Sequence, residues 1–431
     1  MAASAITINN SANTQPEAAS EPRAVVRRPI LDLRGRDHAF RLLFRPDPEQ
    51  AAEASPSSRA LLETAAAFGL AKPSEFKNLT GRLMAFVNCA PFVDLTPGAL
   101  TEQLAHALPP TLTVLEFAAR PQPSPELLEE CRKLKALGFR LAWSDFTPQP
   151  ESEPLLELAD YIAVDSRATT PAERRKLRGR LQGKPALLLA TGVDTHAEHK
   201  LAREEGFTLF EGYYFLEPIA ARNRRPPANQ MLRLEILQAL QRRPMDLPKV
   251  SGLVKRDSPL AYQLLRLVNS PLWAVRQRVE SIQTALIAVG EDAFRRIATM
   301  AIAAQFNGDQ PPELLCMAMV RGRFCEVAGL ARNLDPFGQY LLGLLSLLPA
   351  MQGQPMTELA PSMPLSDEIR AALLGTQNPE RALLGWIESH ERADWPACDA
   401  AAQAASLNQN QLAKLYVESV AWAEAALHSA G

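Results

Sequence analysis

Residues 161–190, YIAVDSRATTPAERRKLRGRLQGKPALLLA, decide the fold class of this chain. Tyr161–Asp165 is a short apolar run, of strand length and too short for a helix. Ala186–Ala190 is a second such run. Between them, Thr170-Pro171-Ala172-Glu173 has the spacing of a capping box with proline in the first turn, which starts a helix. Strand, helix and strand in one short span make a crossover unit, and parallel strands need such crossovers.

The same rhythm extends outward. Apolar runs recur at Leu83–Asn88, Thr113–Phe117, Phe139–Trp143 and Thr208–Phe210. Ser124 with Pro125 opens a helix that stops at Gly138, and Thr195-His196-Ala197-Glu198 is a second capping box. Each signal alone is common by chance, but alternated with strands they support one another. The first half therefore reads as an α/β domain with parallel strands. The pattern alone leaves barrel and open sheet both available, and about 200 residues is a small but allowed barrel.

A break follows at Ala220-Ala221-Arg222-Asn223-Arg224-Arg225-Pro226-Pro227, a basic stretch ending in a diproline. It reads as a solvated linker over residues 220–228. Beyond it the strand signal vanishes. Met231, Leu234, Leu237 and Leu240 mark one helix face, and Leu260, Leu264, Leu265 and Val268 mark another. Helical patterns continue over Pro312–Arg332, Gln339–Leu348, Asp367–Leu374, Glu380–Ser389 and Gln409–His428. The expected order is a tail at 1–23, an α/β domain at 24–219, the linker, and an all-α domain at 229–431.

The totals exclude several classes. Of 431 residues, 47% are hydrophobic and 22% charged, an ordinary globular composition. A formal net charge of −2 gives no electrostatic footprint for nucleic acid or an anionic membrane. The five cysteines are scattered without a C-x-x-C pair, so they read as buried thiols in a reducing cytoplasm. No run is long and apolar enough for a membrane span, and residues 1–23 read as a disordered tail without a secretory signal.

Function in an α/β barrel sits where the strands end. The polar residues there are Asn88, Glu116, Asp145, Asp165 and Thr191. Glu116 and Asp145 could together hold a divalent ion or share acid–base work, or simply cap helices and loops. His196 and His199 lie in a polar stretch and read as a solvated helix face rather than ligands. There is no His-Asp dipeptide and no G-x-S-x-G motif.

Ordered blocks along the first half resemble the EAL domain, a family that hydrolyses cyclic di-GMP with two divalent ions. They are Arg28–Asp32, Ala39–Arg45, Phe86-Val87-Asn88, Leu115-Glu116-Phe117, Ser144-Asp145-Phe146, Tyr161–Asp165, Thr191–Thr195 and Gly212-Tyr213-Tyr214-Phe215. The resemblance runs from about Val25 to Pro218 and implies a TIM-like barrel. It also implies degeneracy. The family's signature glutamate falls at Arg41, the first aspartate of its Asp-Asp-Phe block at Ser144, its lysine at Ala163 and a late glutamate at Thr191. Asn88, Glu116 and Asp145 are kept. A pocket of five carboxylates and one lysine, formally −4, becomes one holding Glu116, Asp145 and Arg41, formally −1. No metal and no cofactor is expected there, since divalent cations need clustered oxygen ligands. Arg28, Arg41 and Arg45 suit phosphate oxygens at the mouth, but Arg41 could equally pair with Glu116 or Asp145 and fill the pocket.

The second half resembles the HDOD domain, a helical relative of HD phosphohydrolases without their metal-binding dyad. The carrying residues are Leu264–Pro271, Ser281–Leu286, Val289-Gly290, Gly343–Leu348 and Pro364-Leu365-Ser366. Together the resemblances imply a cytoplasmic bacterial signalling adaptor that is not an enzyme. Its implied partners are diguanylate cyclases, phosphodiesterases or histidine kinases, or a second copy of itself. A cyclic di-GMP receptor without hydrolysis and a working phosphodiesterase are the alternatives.

Overall fold

A computed structural model describes residues 23–46, 58–89, 99–119, 124–144, 153–218, 229–273, 275 and 277–428. The expected linker, Asp145, and all of the expected tail except Arg23 lie outside the described residues.

The strands are β1 (Val25–Asp32), β2 (Asp37–Phe44), β3 (Met84–Asn88), β4 (Thr113–Ala118), β5 (Arg140–Ser144), β6 (Tyr161–Asp165), β7 (Leu187–Thr191) and β8 (Leu209–Glu211). They close into a barrel in sequence order. Neighbours from β2 through β8 are parallel, whereas β1 is antiparallel to both β2 and β8. The expectation of parallel strands therefore fails at β1. Its cause is local: Leu33–Arg36 is too short a link for a parallel crossover, and a tight turn can only join antiparallel strands. Asp32 builds that turn by accepting from the backbone of Arg34 and Arg36 and from the Arg36 guanidinium.

Alternation along each strand sorts the side chains. Ile30, Ala39, Phe86, Val114, Ala142, Tyr161, Ala163, Leu189 and Leu209 fill the barrel interior as one cluster. Their neighbours, such as Leu31, Leu42, Val87, Phe117, Trp143 and Phe210, face outward into a second core that continues through the helical half. The capping signals hold: Ser124, Thr170 and Thr195 each accept from the backbone three residues on, and both boxes are reciprocal.

The second half is all helical from Gln230 to His428 among the described residues. Leu234, Leu237 and Leu240 are buried as expected, but Met231 is 76% exposed and lies off that face. All five cysteines are free and buried, and burial pushes the Cys131 and Cys398 thiols up to about 12.

The halves meet along β1. Arg27, on its outer face, is buried against the helices Pro312–Leu330 and Gln409–His428. Its guanidinium pairs with Glu313 and Glu424, lies 3.0 Å from the Cys316 sulfur, and donates to the Leu79 carbonyl at 3.0 Å. Nearby, His390 is fully buried, stacked on Trp386, with its Nε2 bonded to the Val25 carbonyl at 3.3 Å. Arg45 pairs with Asp399, and the Tyr213 hydroxyl donates to the Glu391 carbonyl at 2.6 Å.

Breaking a buried ion pair from one side leaves charge stranded in low dielectric. Arg27→Met is expected to destabilise the chain by about 3 kcal/mol or more, read as a lowered midpoint in chemical denaturation. His390 gives a pH signature. Burial pulls its imidazole down to about 3, well below its ordinary range. The unfolded chain then binds the extra proton below about pH 6.5, so stability is full above that and falls as pH drops toward 3. The loss by pH 5 is about 2 kcal/mol, and His390→Phe should flatten that part of the stability–pH curve.

Candidate functional site

The barrel interior turns polar toward the C-terminal ends of β2–β8. Arg41 sits on the inward face of β2, two residues beyond Ala39. The β1–β2 register sets Arg28 opposite it, and the β1–β8 register brings Glu211 beside Ile30. Glu116 projects inward from β4, two residues beyond Val114, and its register partner on β3 is Asn88.

These positions converge on one guanidinium. Arg41 donates from Nε to Glu211 at 2.6 Å and from Nη1 to Glu116. All three side chains are buried. Arg28 lies 3.5 Å from the second oxygen of Glu211, with its guanidinium over the Tyr213 ring. Two arginines thus face two carboxylates, and the cluster is formally neutral. The carboxylates hold Arg41 well above the ordinary arginine range despite its burial, so it keeps its charge.

Glu211 was not among the expected site residues. The signal for it was the block Gly212-Tyr213-Tyr214-Phe215, since a carboxylate directly before it ends the last buried strand. Gly212 lets the chain turn there: its φ is +146°, and a Cβ would fall 2.0 Å from the Val193 carbonyl oxygen. The backbone of Glu211 is fixed by accepting from the Val193 amide at 3.0 Å.

The other expected residues are placed differently. Ala163 lies in the barrel interior and offers no polar atom. The Ser144 hydroxyl donates to the Phe117 carbonyl at 3.4 Å. Thr191 is half-buried, and its carbonyl accepts from Ser166. Asp165 is exposed and caps its own loop through Arg167 and Ala168. Arg45 does not join Arg28 and Arg41. It follows the end of β2, and its guanidinium turns to Asp399 and Trp395 of the helical half. His199 corrects another expectation, because it does not lie on a solvated face. His199 stacks on Tyr214 at 4.0 Å and packs edge-on to Phe210, and burial pulls it down to about 4. His196 bonds the Glu217 carbonyl.

Among the described residues, the pair Glu116 and Glu211 does not fit two divalent ions. A divalent ion needs several oxygens free to point at it. Glu116 and Glu211 both turn oxygens to a fixed cation, and a second positive charge about 4 Å away would meet repulsion of roughly 4 kcal/mol per unit charge at an effective dielectric near 20.

The family model of the HDOD domain matches residues 226–336. The helical half carries an HDOD domain. A Bacillus subtilis protein, YuxH, is 27% identical over 413 residues, covering 92% of this chain and 97% of that one. The Vibrio cholerae protein named cyclic di-GMP phosphodiesterase CdgJ is 28% identical over 380 residues, covering 86% of this chain and 85% of that one. The crystal structure of an EAL domain protein from Listeria monocytogenes is similar at a TM-score of 0.36 and 18% identity, over 45% of this chain and 87% of that chain. The chain has the two-part architecture expected for it, a closed eight-stranded barrel followed by a helical half that matches the HDOD family model.

Removing the guanidinium tests the site. Arg41→Gln is expected to cost about 3 kcal/mol, because Glu116 loses its bridge to a buried cation. Adding Glu116→Gln should restore at least about 1 kcal/mol of that loss in a double-mutant cycle.

Proposed function

We propose that this chain is a non-catalytic signal-transduction adaptor related to cyclic di-GMP signalling, acting in the cytoplasm through protein–protein contacts. The observation that carries the reading is Arg41, buried in the barrel and bonded to both Glu116 and Glu211. A hydrolytic site must present open ligand oxygens and a nucleophilic water. Here the oxygens are engaged and Ala163 supplies no proton-handling group. The barrel then acts as a rigid platform joined to the HDOD domain, whose partners are signalling proteins such as cyclases, phosphodiesterases or histidine kinases, or a second copy of the chain. No described helix is long and apolar enough to cross a membrane.

Two observations favour other readings. Arg28 is only partly buried, and its Nε has no hydrogen-bond partner, which suits a receptor that binds cyclic di-GMP without cleaving it. The likeness to CdgJ favours phosphodiesterase activity.

One assay series separates the three. The purified chain with Mg²⁺ or Mn²⁺ is expected to leave cyclic di-GMP intact, and calorimetric titration to give no heat at high micromolar ligand. Heat without turnover would favour the receptor, especially if Arg28→Gln removes it. Turnover abolished by Glu116→Ala would overturn the adaptor. A pull-down from the native host should recover a specific signalling protein.

A further inference from the structure

The face of the barrel opposite Arg41 has a concavity of about 600 Å³ between the end of the helix Pro171–Leu181 and the starts of β7 and β8. Arg175, Arg178, Gln182, Leu187, Leu188 and Thr208 are among its lining residues. We infer that it is a second binding site, for a nucleoside phosphate. The inference is independent of the function proposed for the mouth.

First, the segment 171–184 carries Arg174, Arg175, Lys176, Arg178, Arg180 and Lys184 against the single carboxylate Glu173. Arg174 is buried against Glu205, while Arg180 and Lys184 pair with Glu153. Arg175, Lys176 and Arg178 have no carboxylate partner among the described residues, and both arginines of that set line the concavity. Arg178 also sits in the last turn of its helix, where unsatisfied carbonyls favour cations.

Second, Arg178 is positioned rather than free. It donates from Nη1 to the Glu205 carbonyl at 3.3 Å and lies against Gly206. A Cβ at Gly206, where φ is +92°, would come 2.6 Å from the Arg178 Cζ. Any side chain at Gly206 would displace the guanidinium from that position. A held guanidinium fork suits the tetrahedral oxygens of a phosphate.

Third, the remaining wall suits the other half of such a ligand. Ala186, Leu187 and Leu188 give an apolar face for a base, and Leu187 is 39% exposed although it begins a barrel strand. The Gln182 amide offers both a donor and an acceptor to a base edge. Thr208, on the same wall, has a buried hydroxyl without a hydrogen-bond partner. The volume lies within the range of small-molecule sites.

The test is calorimetric titration of the full chain with guanosine 5′-monophosphate and adenosine 5′-monophosphate, with guanosine and inorganic phosphate as separate arms. At least one mononucleotide is expected to bind at high micromolar concentration or better, more tightly than guanosine or phosphate alone. Arg175→Gln and Arg178→Gln should each weaken it about ten-fold, as loss of one charge-assisted hydrogen bond implies. Both residues are exposed, so the variants should keep the wild-type thermal midpoint, and Lys255→Gln on the helical half should bind as wild type does. No heat with either mononucleotide at millimolar concentration overturns the site. So does phosphate binding as tightly as the mononucleotide, or binding that survives both arginine substitutions but is lost in Arg28→Gln, which would put the ligand in the mouth.

Discussion

A guanidinium taken out of water must be answered on every side, and Arg27 is answered from both halves of the chain. Its partners are Glu313 and Glu424 in the helical half and the Leu79 carbonyl in the barrel half. Leaving any of these out would strand buried charge, so the barrel and the helices have one relative placement that satisfies it. The strand that carries Arg27 also closes the barrel, pairing β2 on one side and β8 on the other. Barrel closure and the docking of the helices therefore both rest on β1. The continuous outer core supplies the bulk apolar burial, and the ion cluster supplies the register.

Adjacent residues on that strand divide the work by the period of two. Arg27 points out to the helices and Arg28 points in to the barrel mouth, 3.5 Å from Glu211. Two residues past Glu211, Tyr213 bonds the Glu391 backbone, and Glu391 in turn holds Arg321. A short covalent and hydrogen-bonded path thus leads from the interior cluster to the helical half. It gives the barrel a structural use that does not depend on turnover.

Much of the fold was legible. Strands β3 to β8 fell where apolar runs of strand length stood, β1 and β2 did not, and the caps at Ser124, Thr170 and Thr195 formed as their spacing predicts. The helix Glu291–Asn307 was not among the expected patterns, because it is buried on most of its surface and shows no clean apolar stripe. His199 misled for a related reason. Its sequence neighbours are polar, but the turn at Tyr214 returns an aromatic ring to cover it. Glu211 was hidden because the last strand was read as Thr208–Phe210, one residue too early.

The sequence by itself determined the alternation of strands and helices and the all-helical second half. Those are local properties, carried by periodicity, caps and residue identity. Only the tertiary structure decided that the sheet closes, that β1 runs against its neighbours, and that Arg41 meets Glu116 and Glu211 rather than solvent. These depend on registers between strands far apart in the chain, and a register is set by which buried groups must satisfy one another, which no single segment contains.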